Sequence, residues 1–368
     1  MKAALIKKTG EPYVLDDIRV DDPIGHEVLV EVKGSGLCHS DLGIAENDYG
    51  IPLPLVQGHE VAGVAIAVGP DVESVKVGDH VVACPVYFCG HCDQCLQGRN
   101  TSCREAAKRD REKGGNARFT MPDGRFVMQL GAIGGFAEQT LINENQLVSI
   151  DRRVPFDRAA LLGCGVVTGA GAVFNSANVR AGETVAVIGC GGVGLNAVQA
   201  AALTGAGRII AVDLQPGKLE LAKTFGATDL VNPDDGDPVE QVRDLTGGHG
   251  VDHAFEMIGL MPTLVQATQM LDHFGTAYIV GMQKPGTKLQ LNVDPMVPTG
   301  MLMKEQAIRG VKFGSVNVKR DIALYADLYL QGRFNLDDLV SQTISLEQIN
   351  AGFEELKKGR VARSVIVF

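Results

Sequence analysis

The chain is poor in positive charge. Across 368 residues, 34 lysines and arginines face 44 aspartates and glutamates, a net charge of -10 at pH 7. A protein that grips a polyanion carries a basic stripe, so this balance argues against nucleic acid or an anionic membrane as the main partner. The opening stretch, MKAALIKKTG, has no apolar h-region and does not read as a secretory signal. Long apolar runs are missing too. The most apolar, AALLGCGVVTGAGAVF (159–174), is glycine-rich and reads as too short to span a bilayer. There is no internal repeat and no low-complexity segment. The expectation is a soluble, cytoplasmic protein. Its hydrophobic fraction of 45% is ordinary for a globular chain, and its length suggests two domains.

Cysteine, by contrast, is well represented, with eight residues: Cys38, Cys84, Cys89, Cys92, Cys95, Cys103, Cys164 and Cys190. Four fall in FCGHCDQCLQGRNTSC (88–103). Such a cluster could be a disulfide knot, a nucleic-acid zinc finger or a metal clip within a larger fold. Clustered thiols in a reducing compartment read as metal ligands. Three thiolates at two-residue gaps can surround one tetrahedral ion, with a fourth closing the loop.

The first 150 residues read as short strands broken by turns. EVLVEVKGSGLC (27–38) alternates apolar and polar residues, as a half-buried strand does, and VAGVAIAVGPDV (61–72) and GDHVVACPV (78–86) continue the pattern. This predicts a β-rich, barrel-like body. After about residue 170 strands and helices alternate: TVAVIGCGGVG, LNAVQAAALTGA, RIIAVD, KLELAKTFGA, then DLVN, VDHAFEMIG and TAYIVGM. That period is the signature of an α/β, doubly wound parallel sheet. The tail from Phe313 to Phe368 reads as two helices and a last strand, SVIVF, that returns to the first domain.

VAVIGCGGVG sets Gly189, Gly191 and Gly194 in G-x-G-x-x-G spacing, with Gly192 and Val193 between them. The motif follows a strand, opens a helix, and has Asp213 at the end of the next strand. That context points to a dinucleotide site. Gly189 permits the tight turn, Gly191 lets the backbone approach a pyrophosphate, and Gly194 allows close helix–strand packing. The helix N-terminus offers unpaired N–H groups to the phosphates. The Asp213 carboxylate can accept from a ribose diol and would repel a 2′-phosphate, which favours NAD(H) over NADP(H).

A second set of candidate ligands stands apart from the cysteine cluster: GLCHSD with Cys38, His39, Ser40 and Asp41; QGHE with His59 and Glu60; LLGCGVVTG with Cys164 and Thr168. Two thiolates and one imidazole, Cys38, His59 and Cys164, would leave a fourth metal position for water or substrate. Taken singly, each has a plainer reading: a buried cysteine as a small core hydrophobe, a histidine as a satisfied core residue. Nothing in the spacing places the three side by side.

With GLCHSD, GHEVAG, CGHCDQC…C, GCGVVTG, GCGGVG and VDLQPGK in this order, nearly the whole chain resembles the zinc-containing medium-chain alcohol dehydrogenases. The 104–135 segment and the closing GRVARSVIVF are most similar to the dimeric branch that includes glutathione-dependent formaldehyde dehydrogenase. The resemblance implies a Rossmann domain over 168–312. It implies a β-rich, GroES-like barrel catalytic domain over 1–167, completed by a return segment over 313–368. It implies two Zn2+ per chain. Cys38, His59 and Cys164 would hold the catalytic zinc, and Cys89, Cys92, Cys95 and Cys103 a structural one, with Cys84 outside both. Glu60 would sit behind the catalytic ion, Asp41 would fix the tautomer of His59, and Ser40 would pass the alcohol proton towards the cofactor ribose. Val193 and Thr168 would position the nicotinamide. Lys218 would reach the adenosine ribose, and His39 and Arg363 would lie near the pyrophosphate. The implied reaction is reversible hydride transfer between a primary or secondary alcohol and NAD+, with S-(hydroxymethyl)glutathione as the alternative substrate. The implied assembly is a homodimer, with a homotetramer as its alternative.

The chain departs from that family's pattern in three places. Gly43 stands where some relatives end the proton relay with a histidine, and Pro85 where several dimeric relatives carry an aromatic residue. AENDYG (45–50) is no clear match to the acidic loop of the formaldehyde-oxidising branch. Two other classes are weighed against this reading. A nucleic-acid-binding zinc protein is opposed by the acidic balance, and a catalytically silent NAD-binding relative by the intact second ligand set. The charged stretch REAAKRDREKGGNAR (104–118) is read either as a solvated loop or as a border of the substrate entrance that favours anionic alcohols.

Overall fold

A computed structural model describes residues 1–106, 111, 117–288, 300–359 and 362–368. The chain divides into two units: Met1–Gly165 with Val316–Phe368, and Val166–Ser315.

The first unit is built on two sheets. The larger has the strand order Leu147–Ser149, His80–Ala83, Glu60–Val68, Glu27–Gly36, Arg363–Val367 and Val340–Ile344, with Gln139–Asn143 also paired to Glu27–Gly36. The alternation in EVLVEV places Val28, Val30 and Val32 in a core with Val61, Ala65, Val81 and Ala83. A second core under the smaller sheet gathers Leu37, Phe119, Phe136, Ile349, Phe353 and Ile366. The last strand does return here, antiparallel to Glu27–Gly36 through the pairs Val365↔Gly36 and Ile366↔Ser35.

Register does the work of placing the site. Glu27–Gly36 runs antiparallel to Glu60–Val68 with Gly36 opposite Glu60. Cys38, two residues past the end of one strand, and His59, one residue before the start of the other, therefore emerge at the same end of the ladder. The returning strand brings Arg363 to that end as well.

The second unit holds one parallel sheet with the order Asp229–Val231, Arg208–Val212, Thr184–Ile188, Val251–Glu256, Leu271–Ile279 and Ala307–Gly310. The first three strands in the chain step outwards one way and the next three the other. This is the doubly wound arrangement, and its switch point lies between Thr184–Ile188 and Val251–Glu256. Apolar residues from all strand neighbours, among them Ile188, Ile210, Val231, Ala254 and Ala277, fill its core with Val239, Val242 and Met270.

One expectation is corrected. The apolar 159–174 run belongs to a longer helical segment, Phe156–Ala177, which is long and apolar enough to cross a membrane by length and composition alone. The helix outlasts the apolar run because Phe156–Arg158 and Asn175–Ala177 continue it at either end. Its most apolar stretch is 83% buried within the protein, as a core helix is. Two wider turns interrupt it, and Cys164 lies in the first of them, Leu162–Val166.

Candidate active site

Cys38 caps the helix His39–Glu46 in an extended conformation. One turn in, Asp41 is fully buried and folds back on the segment it came from. Its Oδ2 accepts the Cys38 N–H at 3.3 Å, and its Oδ1 accepts the Gly58 N–H at 3.2 Å. The same Oδ1 takes His59 Nδ1 at 3.0 Å. One carboxylate thus ties together two of the three chain segments that carry candidate ligands, those of Cys38 and His59, and leaves Nε2 of His59 turned away from it.

The donor atoms of Cys38, His59, Glu60 and Cys164 lie within 4.8 Å of one another, all buried. Burial works against a charged His59, but the adjoining Asp41 and Cys38 outweigh it and raise its pKa well above the usual value. The two thiols divide: the hydrogen bond from Cys164 lowers Cys38, and that same contact, with burial, raises Cys164. Ser40 Oγ donates to Cys38 Sγ at 3.1 Å and lies 3.2 Å from His59 Nε2. Two soft sulfurs, an imidazole and a carboxylate packed this closely suit a divalent ion of the zinc type.

Glu60 is fully buried, and neither carboxylate oxygen has a hydrogen-bond partner among the described residues. Burial pushes it up to about 7, against the pull of Arg363. Arg363 Nη2 stands 3.4 Å from Glu60 Oε1, itself buried. The pair occupies room that only glycine leaves. A Cβ on Gly36 would lie 2.3 Å from Glu60 Oε2, and one on Gly165 would lie 2.8 Å from Arg363 Nη2. Sequence reasoning missed this pairing. The glycines at positions 36 and 165, at a strand end and inside a helical segment, were the available signal.

The four clustered cysteines also converge, and all are free thiols. Cys89 and Cys95 sulfurs are 3.9 Å apart, Cys92 and Cys103 sulfurs 4.0 Å. Backbone N–H groups aim at them: Cys89 N to Cys103 Sγ at 3.2 Å, Cys92 N to Cys89 Sγ at 3.2 Å, Glu105 N to Cys103 Sγ at 3.4 Å. Four sulfurs converging under backbone donors fit a tetrahedral four-sulfur metal site. His91 and Glu105, 2.9 Å apart, flank Cys89, a neighbour pair the sequence reading did not single out. Cys84 is buried elsewhere, its thiol pushed up to about 12 by burial.

In the second unit Gly189 has φ +98°, and a Cβ on Gly194 would lie 1.9 Å from the Gly189 carbonyl oxygen. In front of Gly191 there is open space, as a loop that meets phosphates requires. Gly192 and Val193 form the first turn of the helix Gly192–Thr204. Asp213 Oδ2 accepts the Cys190 N–H at 2.8 Å and Oδ1 the Gln215 N–H at 2.9 Å, so the acidic residue is latched to the glycine loop itself. Lys218 lies in the first turn of Pro216–Thr224. Thr168 is nearly buried, its Oγ1 without a hydrogen-bond partner among the described residues. Next to it, Gly169 packs against the Val193 carbonyl. His39 is exposed at the start of its helix.

Of the charged loop, Lys108, Arg109, Asp110, Glu112 and Lys113 lie outside the described residues. Arg111 turns inward, donating to Glu27 at 2.6 Å and also to Asp21, while Arg118 donates to Glu27 at 2.7 Å. Although burial opposes it, these two guanidinium groups hold Glu27 below the usual carboxylate range. Arg111 therefore faces Glu27 and Asp21 instead of presenting its charge to solvent.

Residues 25–152 match the model of the alcohol dehydrogenase GroES-like domain, and residues 192–329 that of a zinc-binding dehydrogenase. The chain is 37% identical over 376 residues to an NDMA-dependent alcohol dehydrogenase of Amycolatopsis methanolica, covering 100% of this chain and 98% of that one. Among solved structures it is similar to an alcohol dehydrogenase zinc-binding domain protein from Burkholderia ambifaria, with TM-score 0.93, 38% identity, and 100% and 98% of the two chains covered. It is also similar to benzyl alcohol dehydrogenase from Acinetobacter calcoaceticus, with TM-score 0.90, 35% identity, and 100% and 99% covered.

Proposed function

This chain belongs to the zinc-containing medium-chain alcohol dehydrogenase family, and from that premise we propose that it transfers hydride reversibly between a primary or secondary alcohol and NAD+, giving an aldehyde or ketone. The observation that carries the proposal is the convergence of Cys38, His59, Cys164 and Glu60, with the Ser40 hydroxyl beside them. Zinc, when bound, supplies a Lewis acid that lowers the pKa of an alcohol hydroxyl, and NAD+ supplies the hydride acceptor.

The chain's own residues do the rest. Cys38, His59 and Cys164 hold the ion. Asp41, by accepting from Nδ1, leaves the Nε2 lone pair of His59 for the metal. Ser40 Oγ takes the substrate proton and passes it towards the cofactor ribose. Gly43 has no side chain to extend the relay. Glu60, with Arg363 as its counter-ion, lies behind the ligands. Asp213 accepts from the ribose diol, Lys218 reaches the adenosine ribose, and the N–H groups at Gly191, Gly192 and Val193 meet the pyrophosphate. Thr168 Oγ1 and the Val193 backbone position the nicotinamide. Cys89, Cys92, Cys95 and Cys103 hold a second zinc, which stabilises their lobe.

We take the assembly to be a homodimer. Supporting this, the sheet edge Ala307–Gly310 is exposed at three of its four residues, and Leu302 and Met303 are exposed just before it. A reducing cytoplasm suits eight free cysteines.

The test is a panel of simple, aromatic and terpenoid alcohols assayed for NADH formation. It includes benzyl alcohol, a formaldehyde-plus-glutathione well, and NDMA as an alternative acceptor. NADH from a simple or aromatic alcohol is the expected result. Turnover confined to the glutathione well would move the substrate to S-(hydroxymethyl)glutathione. Turnover seen only with NDMA would remove free NAD+ as the acceptor.

A further inference from the structure

Glu256 is a fully buried carboxylate in the second unit, and the reaction chemistry gives it no part. It ends the Val251–Glu256 strand, on the far side of the switch point from the strand that feeds the glycine loop. Ligands of doubly wound sheets lie in the crevice at that point, so the residues after Glu256 form one wall of it.

The carboxylate organises that wall almost alone. Its Oε1 faces three donors: the Ile258 N–H at 2.9 Å, the Gly259 N–H at 2.8 Å and Thr263 Oγ1 at 2.8 Å, the last equally close to the Leu260 carbonyl. Oε2 has no partner among the described residues. The Glu256 carbonyl accepts two more, from Val280 and Gly281, both at 3.0 Å. Side chain and main chain of one residue therefore fix two loops. These loops are in close contact, since a Cβ on Gly281 would fall 2.2 Å from the Gly259 nitrogen. The result is felt across the crevice. Ile258 lies against the first glycine of the loop, where a Cβ on Gly189 would be 2.6 Å from its Cγ1. The other side of Ile258 is open, as are Leu260 and Met282, so the wall presents a lip of exposed apolar groups.

We propose that Glu256 is a positioning residue for the dinucleotide. By holding the 257–260 turn through Oε1, it sets the distance between Ile258 and the glycine loop, and with it the fit of the crevice to NAD(H). It touches neither substrate nor hydride, so its loss acts on coenzyme affinity and leaves the chemical step alone. The inference rests on the NAD reading above.

The experiment uses the full-length zinc-loaded protein, wild type and Glu256→Ala, Glu256→Gln and Thr263→Val. NADH affinity is read from the coenzyme's own fluorescence, since the chain has no tryptophan. KM for NAD+, kcat at saturating NAD+, circular dichroism and melting temperature are measured alongside. Removing an acceptor shared by three donors should raise NADH Kd and KM for NAD+ about tenfold or more in Glu256→Ala, with kcat within about twofold. Glu256→Gln keeps the Oε1 acceptor and should stay within about threefold of wild type. Should Glu256→Ala fail to fold, Thr263→Val decides: loss of one donor should raise KM for NAD+ about two- to fourfold at constant kcat. A folded Glu256→Ala with wild-type Kd overturns the proposal, as does a Glu256→Gln no better than the alanine variant. So does a fall in kcat that tracks the unfolded fraction, or an unchanged Thr263→Val where the alanine variant does not fold. A wild-type protein that binds no NADH would instead overturn the cofactor reading.

Discussion

Asp213 carries two duties on one carboxylate. In the proposed dinucleotide site it would face a ribose diol, and each oxygen already accepts one backbone N–H, from Cys190 and Gln215. Each keeps a lone pair for a hydroxyl, while a 2′-phosphate would meet a negative charge that cannot turn away without releasing the glycine loop. NAD+ should therefore exceed NADP+ by on the order of 100-fold in kcat/KM, as one close like-charge contact predicts. Asp213→Ser should narrow that gap to about tenfold. It should also weaken NAD+ itself, because the Cys190 N–H loses its acceptor. Steady-state kinetics with both coenzymes checks this, and equal efficiencies in the wild type would overturn the role given to Asp213.

At the scale of elements, the short turn Glu144–Gln146 shows how one buried acid joins several segments. Glu144 accepts the Glu73 N–H at 3.0 Å, the Ser74 N–H and hydroxyl at 2.7 Å each, and His26 Nδ1 at 2.7 Å. Burial opposes its ionisation, but the bonds from Ser74 and His26 prevail and lower it to about 2 from an ordinary 4.5. A carboxylate depressed in the folded state contributes stability that is complete above its unfolded pKa. That stability drains away as pH falls through the folded value. The window is thus from 4.5 down to 2, and the full effect is about 3 kcal/mol. Urea midpoints at pH 6, 4.5 and 3 should fall more steeply for the wild type than for Glu144→Gln, which has no charge to lose. Parallel curves would mean that these bonds do not hold Glu144 ionised preferentially in the folded chain.

For the molecule as a whole, the two cysteine-containing clusters should separate by phenotype. Cys164→Ala removes a donor from the mixed site in the first unit. The nucleotide loop and Asp213 belong to the second unit, so this variant should fold and bind NADH while turnover collapses. Cys103→Ala opens the four-sulfur cluster, whose proposed zinc would contribute folding free energy, so the loss should appear in solubility and melting temperature. Any activity loss there should follow the unfolded fraction. Zinc content, melting temperature and kcat on both purified variants are the measurements. A stable but inactive Cys103→Ala beside an unstable but active Cys164→Ala would show the assignments to be reversed.

The sequence by itself determined whatever depends on neighbours along the chain. The glycine loop, the two-residue cysteine gaps and the strand–helix period are local patterns, written by turn sterics, ligand spacing and alternating burial. The resemblance to a known family, carried by motifs in a fixed order, added the ligand sets. Tertiary structure decided what depends on register and return. Cys38 and His59 meet because Gly36 pairs with Glu60, a consequence of two strands 24 residues apart in the chain. Arg363 reaches Glu60 because the final strand comes back to that ladder, which no local period encodes. Glu256 gave no signal at all, since an acid at the end of an apolar strand looks like the start of a solvated loop. Only the fold shows it turned inward onto three donors, because hydrogen-bond partners are chosen by proximity in space.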